Sequence, residues 1–312
     1  MFDNQEMSIS HYIKEIGRGK HNARDLSREQ ASDLMGQLLD GSVSDLATGA
    51  FCIAMRVKGE TPDELAGFID ALNSRMNRLN NQNKSPIVVL PSYNGARRLP
   101  LLTPLLALLL AEQGLKVLVH GGNTEDSRLS TAAVMSALGI SASTEARTLS
   151  NEQVVYMPVE QISQGLWRLL QVRRTIGLRN SAHSLVKMLN PVNGPALLVS
   201  SYTHPEYEAP MLQTLQTMKS HAMLLRGTEG EPVADPRRMR KDIRLLNGQL
   251  LDIHDPLDTG SVDALELPLN MTADDTAAYI QTMIKHPDKV PAPIQMQVKR
   301  LVELATRITT SA

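Results

Sequence analysis

The chain has 312 residues, a formal net charge of −1, 42% hydrophobic residues and 21% charged residues. That is the composition of a folded globular protein, and the length suffices for one large core or two unequal ones. No apolar run is long enough to span a bilayer, the start MFDNQEMSISHY is polar and acidic rather than a signal peptide, and the single cysteine excludes an internal disulfide framework; these features point to the cytoplasm and away from a membrane.

The first 80 residues predict a helical domain. Ser27 with Gln30 forms a capping-box pattern ahead of an apolar-periodic run. Val43, Leu46, Ala50, Ala54 and Val57 follow helical spacing, and Cys52 in the same stretch reads as an inert core thiol. Lys58-Gly59 ends that helix through a left-handed glycine cap, and Thr61-Pro62-Asp63-Glu64 opens the next with an N-cap, an N1 proline and an N3 glutamate. Asn80–Pro86 is polar and reads as a linker.

From residue 81 to 312 the pattern changes to α/β. Short apolar runs at Ile87–Leu90, Leu115–Val119, Val154–Met157, Ala196–Ser200, Ala222–Leu225 and Gln249–Ile253 predict strands. Helical runs near 99–113, 128–138, 161–172, 207–220, 273–284 and 292–308 follow or separate them. Such alternation predicts a mostly parallel sheet covered by helices. The turn after the first strand, Pro91–Pro100, stands where α/β proteins often hold phosphate, yet it has one glycine and carries Arg97 and Arg98.

Charge is unevenly distributed. Residues 161–205 contain Arg168, Arg173, Arg174, Arg179 and Lys187 and no acid, and residues 237–244 contain Arg237, Arg238, Arg240, Lys241 and Arg244 against Asp242. With Arg97 and Arg98 these segments carry +11, leaving −12 elsewhere. A charge run is commonly just a solvated face, but this asymmetry is also compatible with a strongly positive surface on a near-neutral protein. The eight histidines include no pair at metal-ligand spacing, and His120, directly before Gly121-Gly122, is placed for a ligand-facing turn. Walker, G-x-G-x-x-G and G-x-S-x-G motifs are missing from the sequence.

Several pieces, taken in order, resemble the anthranilate phosphoribosyltransferase-like family (glycosyltransferase family 3, TrpD-like). They are DLSREQ at 25–30, FCIAMRVKGETPDEL at 51–65, Lys116–Gly121, Arg179–Pro191 with its Asn-Pro ending, and Tyr202-Thr203-His204-Pro205-Glu206. The resemblance spans nearly the whole chain and is nearest to a divergent bacterial branch associated with nucleic-acid binding. It implies a small N-terminal helical domain, residues 1–80, that dimerises, with 175–192 packing near it, and a larger α/β domain, residues 81–312, of the nucleoside phosphorylase/phosphoribosyltransferase type.

The family's GTGGDG loop holds pyrophosphate with backbone N–H groups; here the aligned residues are Pro91-Ser92-Tyr93-Asn94-Gly95-Ala96. Its Asn-x-Ser-Thr aligns with Leu101-Leu102-Thr103-Pro104, and its magnesium-holding Asp-Glu pair with Pro232-Val233, although Glu229 and Glu231 lie close by. Cations are gained around the same place. Arg97 and Arg98 enter the loop, Lys187 and Arg226 replace a proline and a histidine, Arg128 and Arg179 keep basic positions, and Arg237, Arg238, Arg240 and Lys241 follow the lost metal segment.

These losses and gains predict a non-catalytic protein that binds single-stranded DNA or RNA through those ten residues, mainly by phosphate contacts, with no catalytic residue, metal or cofactor. The alternatives are a phosphoribosyltransferase or nucleoside phosphorylase with an altered phosphate site, and a scaffold that binds another protein. With 3% aromatic residues, base stacking is limited to single platforms such as Tyr93, Trp167 and Tyr202.

Overall fold

Two capping boxes start the helices that organise the N-terminal part. The computed structural model describes residues 8–19, 21–143, 153–256, 267–268 and 270–311, so the first seven residues of the polar start lie outside the described residues. The helices are α1 (Ser10–Ile16), α2 (Arg28–Asp40), α3 (Asp45–Lys58) and α4 (Pro62–Asn73). Ser27 and Gln30 bond reciprocally at the start of α2, as do Thr61 and Glu64 at the start of α4. Glu64 is fully buried and does more than cap: it accepts from Leu26 N at 3.0 Å and from Lys58 Nζ at 2.7 Å. One carboxylate thereby ties together the chain before α2, the end of α3 and the start of α4. Gly59 has φ 84° and ψ 145°: its positive φ is the range that favours glycine at a helix end, although its ψ lies outside the expected left-handed helical basin.

The apolar periodicity of α3 proves to be two faces. Phe51, Cys52 and Met55 are buried in the core, whereas Leu46 is 85% exposed and Val57 52% exposed, with Ile53 beside them. The expected set of Val43, Leu46, Ala50, Ala54 and Val57 therefore mixes core and surface: Val43 is buried, but Leu46, Ala50 and Val57 are exposed.

The chain then forms β1 (Leu79–Asn80), β2 (Ile87–Ser92), α5 (Thr103–Glu112), β3 (Val117–Gly121), α6 (Thr131–Ala137) and β4 (Val154–Pro158). The helices α7 (Val159–Ile162), α8 (Gln164–Ile176) and α9 (Ala182–Leu185) return along the helical layer, with α8 against α2 and α9 against α4. β5 (Val192–Asn193) pairs in parallel with β1. After it come β6 (Ala196–Ser201), α10 (Glu208–Thr217), β7 (Ala222–Leu225), β8 (Asp242–Leu246), β9 (Gln249–His254), α11 (Ala273–Lys285) and α12 (Ala292–Ser311).

The main sheet has the order β4-β3-β2-β6-β7-β8-β9, parallel through β7 and antiparallel for the last two pairings. One face packs against the helical layer through residues such as Val89, Leu118, Leu198 and Leu224, and the other against α5, α6, α11 and α12 through Val88, Val119, Leu197 and Met223. Burial on both faces explains why the inner strands read as continuous apolar runs.

Strand β8 is absent from the sequence expectation, because its DIRLL pattern carries two charges. Arg244 is 4% exposed and pairs with Asp252 and Glu303, while Asp242 pairs with Arg300 and His254. Arg244 thus belongs to an interior ion network and is removed from the basic surface counted from sequence.

Candidate anion-binding cleft

The order β4-β3-β2 on one side and β6-β7 on the other places a topological switch point between β2 and β6. Loops leaving the carboxyl ends of such strands diverge and open a crevice. The loop after β2 begins at Tyr93, because Pro91 and Ser92 still pair with β3 opposite His120 and Gly121. Gly95 turns the chain with φ 67° where an added Cβ would lie 2.7 Å from Leu129 O.

The N–H groups of this loop are occupied by two carboxylates from the turn after β7. Glu231, 2% exposed, accepts from Asn94 N at 2.7 Å and Gly95 N at 2.8 Å. Its other oxygen accepts from the Ser92 hydroxyl and from Thr103 Oγ1, the latter at 3.1 Å. Glu229 accepts from Arg97 N at 2.7 Å and Arg98 N at 3.2 Å. The loop therefore keeps a backbone cradle despite its lost glycines. What the cradle holds is internal negative charge from Glu231 and Glu229, while the side chains of Arg97 and Arg98 stand exposed outside it.

Behind this loop lies a cavity of about 680 Å³ between the helical layer and the strand ends. Its cationic lining is Arg56, Arg128, Arg173, Arg179 and Lys187. Lys187 is 8% exposed, and no hydrogen bond or ion pair engages its ammonium among the described residues. Burial, then the charge of Arg179, pushes its pKa down to about 8, with Glu231 acting in the opposite sense. Arg179 donates to Asn94 Oδ1 at 3.1 Å and has no carboxylate partner among the described residues; burial and then Arg173 and Arg128 push it below the usual arginine range.

The cavity also contains acids. Glu125 pairs with Arg128 at 2.8 Å and Arg173 at 2.9 Å, and burial pushes the Glu60 carboxyl up. Asp126 faces outward to Arg174 at 2.5 Å. Among the described residues the cavity cations without a carboxylate partner are thus Arg56, which donates to Arg179 O at 3.0 Å, and the more deeply set Arg179 and Lys187, with two further arginines sharing Glu125.

The other expected residues lie outside the cavity lining. Arg226 donates to the carbonyl of Thr203, which lines the cavity, at 3.2 Å. Its charge acts on Arg240, as do those of Arg237 and Arg238. All three of the latter meet a single acid, Asp235, at 2.9, 3.2 and 3.8 Å for Arg237, Arg238 and Arg240. Lys241 pairs with Glu208 at 2.6 Å. The side chains of Arg97 and Arg98 are exposed, and only their N–H groups bind Glu229. The ten residues thus sort into a cavity group (Arg128, Arg179, Lys187), a cluster beside Thr203 (Arg226, Arg237, Arg238, Arg240, Lys241) and an outer pair (Arg97, Arg98).

His120 does not face a ligand. It is fully buried in β3, with Nδ1 2.7 Å from the Tyr93 hydroxyl and Nε2 3.1 Å from Leu189 O, and burial lowers its pKa to about 4. Tyr93 and Tyr202 are 5% and 4% exposed, and neither offers a free ring face for stacking. Trp167 packs toward Gly122. The sequence expectation also omitted Arg56 as a cavity residue, since it sits among the charges of an ordinary helix end, and gave Arg173 no part in the site.

A magnesium–pyrophosphate group does not fit the residues present. Pro232 and Val233 offer no side-chain oxygen, and the oxygens of Glu229 and Glu231 are already engaged by N–H and O–H donors. Among the described residues no group of three or more His, Cys, Asp or Glu is placed to hold a metal, and no helix is long and apolar enough to cross a membrane.

The pattern of the glycosyl transferase family helical bundle domain matches residues 10–76. The uncharacterized protein YbiB of Escherichia coli K12 is 36% identical over 299 residues, covering 94% of this chain and 92% of that one. An anthranilate phosphoribosyltransferase of Colwellia psychrerythraea is 28% identical over 236 residues, covering 73% and 64%. Among solved structures, anthranilate phosphoribosyltransferase (TrpD) from Thermus thermophilus superposes with TM-score 0.69 at 19% identity, covering 96% of this chain and 90% of that one. The Saccharomyces cerevisiae enzyme in complex with PRPP and Mg gives TM-score 0.73 at 14% identity, covering 96% and 90%. At those identities the structural likeness speaks for the fold.

The buried histidines carry a pH signature. Between about pH 6.5 and 4 the unfolded chain protonates His120 while the folded protein keeps it neutral, so stability present above 6.5 falls as pH drops. His183, lowered to about 3 chiefly by burial, adds in the same sense. Urea unfolding at pH 7 and pH 5 is expected to show each histidine costing about 2 kcal/mol at the lower pH. His120→Asn should remove its share of the difference; an unchanged difference would mean that His120 is not held neutral.

Proposed function

The chain belongs to the anthranilate phosphoribosyltransferase-like, TrpD-like family of glycosyltransferase family 3, and we propose that the cavity between its helical layer and strand ends is the functional cleft and binds single-stranded nucleic acid without catalysis. The observation that carries the reading is Lys187 with Arg179, one buried and one partly buried cation without a carboxylate partner among the described residues, near a cluster where three arginines share one aspartate and Arg226 has none. Keeping Lys187 protonated in a buried site costs free energy, which an anion beside it returns. A phosphate chain suits several separated cation groups better than one small anion does, because each neutralised phosphate releases counterions and arginine binds phosphate bidentately.

A single strand is favoured over a duplex by the enclosure of the cavity. Tyr93 and Tyr202 are buried and Tyr207 is the exposed tyrosine of the cavity lining, so stacking is limited to a single platform, phosphate contacts dominate and sequence preference is weak. Binding in the micromolar range or tighter is expected for a 20-mer of mixed sequence, weakening steeply with salt. Replacing Arg237, Arg238, Arg240 and Lys241 together by Ala should weaken binding at least tenfold and flatten the salt dependence. Unchanged affinity would remove this cluster from the site.

A second reading, an enzyme of the phosphoribosyltransferase or nucleoside phosphorylase type, is favoured by the 28% identity to the Colwellia enzyme. Calorimetry with phosphoribosyl pyrophosphate separates the two. The nucleic-acid reading expects no magnesium-dependent binding, and tight magnesium-dependent binding would establish the enzyme instead.

We also propose that the chain self-associates as a homodimer through α3. Its exposed Leu46, Ile53 and Val57 lie along one helix face opposite the buried Phe51, Cys52 and Met55, a contiguous apolar stripe that a second copy would cover. Sedimentation should give a dimer for the native chain and a monomer after Leu46→Asp with Val57→Asp. A native monomer at tens of micromolar would rule this interface out.

A further inference from the structure

We propose that Glu231 and Glu229 form a built-in substitute for a bound oxyanion: they fill the phosphate cradle of the 92–103 segment, and the cradle regains affinity for phosphate or pyrophosphate only when they are removed. The cradle adjoins the cavity, whose lining includes Asn94 and Glu229, but the inference does not require that nucleic acid bind there.

The donor set is that of an anion site. Four backbone N–H groups, from Asn94, Gly95, Arg97 and Arg98, and two hydroxyls, from Ser92 and Thr103, converge on the two carboxylates. Thr103 opens α5, a helix of ten residues, so one Glu231 oxygen also lies at a helix N-terminus. A buried carboxylate without such donors would carry a large desolvation cost, and here nearly every lone-pair direction of Glu231 is matched.

The turn that delivers the carboxylates is itself built for the purpose. Glu229 has φ 51°, rare for a residue with a Cβ, and Gly230 follows with φ 86° where an added Cβ would lie 2.0 Å from Asn94 Nδ2. Asn94 Nδ2 donates to Glu229 O at 2.7 Å, and Ser201 Oγ donates to Gly230 O at 2.7 Å. The strands on both sides of the switch point thereby grip the turn. Glu231 N donates to Thr228 O at 2.9 Å, closing it on itself. So many fixed contacts make a permanent filling rather than a lid.

The consequence is selectivity by exclusion. A diphosphate cannot reach the loop amides without displacing carboxylates that already satisfy them, so a phosphate ligand of this protein is turned away from the strand ends and toward side-chain cations. Glu231 also places negative charge near Lys187, favouring its protonated form.

The test is isothermal calorimetry with inorganic pyrophosphate, without metal, at constant ionic strength set with chloride. The native protein should show at most the weak binding its cavity cations allow, and Glu229→Ala with Glu231→Ala should bind at least tenfold more tightly than that native signal. The double variant should also regain thermal stability on adding phosphate, with the native protein responding less. Since removal of buried Glu231 risks the fold, Glu229→Ala alone provides a milder arm: it frees the Arg97 and Arg98 N–H groups and should gain measurable pyrophosphate affinity. Glu231→Gln, which fills the same space, should gain none. Native binding equal to that of the variants, or a folded Glu229→Ala protein that gains none, would overturn the proposal.

Discussion

A buried carboxylate facing backbone N–H groups is the constraint around which the cleft is arranged. Removing Glu231 from water is favourable only because Asn94, Gly95, Ser92 and Thr103 all donate to it. Those donors come from the end of β2, its loop and the start of α5, while the carboxylate comes from the turn after β7, two strands away in the sheet. Satisfying one ion therefore fixes the loop path, the left-handed turn at Glu229-Gly230 and the spacing across the switch point together. The same charge lies near Lys187 and helps keep a buried ammonium protonated.

The distribution of the other charges follows from whether a partner is within reach. Arg244 and Asp242 lie in a sheet whose helical cover offers Glu303 and Arg300, and they close into an interior network. Arg128 and Arg173 share Glu125 at the cavity wall. Among the described residues Arg179 and Lys187 have no such acid, Arg237, Arg238 and Arg240 share one aspartate, and Arg226 bonds only a carbonyl. Uncompensated positive charge is therefore concentrated at and beside the cleft, although a sequence count spreads it over three segments. Two of the acids at the same cleft serve backbone amides, so positive walls stand over a floor already neutralised from within.

The helical layer contributes both a wall and an outer face. Its core is continuous with one side of the sheet, which brings α8 and α9, and with them Arg173 and Arg179, to the cavity. Glu64 holds the layer together from inside by joining three segments of chain. On the far side of α3 the apolar stripe from Leu46 to Val57 remains at the surface.

By itself the sequence determined the α/β class, the parallel strands, the capping boxes at Ser27 and Thr61 and the family, because apolar periodicity, cap chemistry and ordered motifs are local properties. It also showed that the glycines and paired carboxylates of a phosphate site were gone. Long-range pairing was not legible. Strand β8 was hidden because Asp242 and Arg244 are charged, and only the approach of Arg300, Glu303 and Asp252 makes their burial tolerable. His120 read as ligand-facing because a strand end usually is, whereas the Tyr93 hydroxyl and Leu189 carbonyl meet it inside the protein. Glu229 and Glu231 were visible as acids near a lost metal site, but not as the occupants of a loop more than 130 residues earlier in the chain. That role depends on backbone N–H groups, which every residue but proline possesses and no sequence pattern orients; only the tertiary structure, by fixing where they converge, decided what the cradle holds.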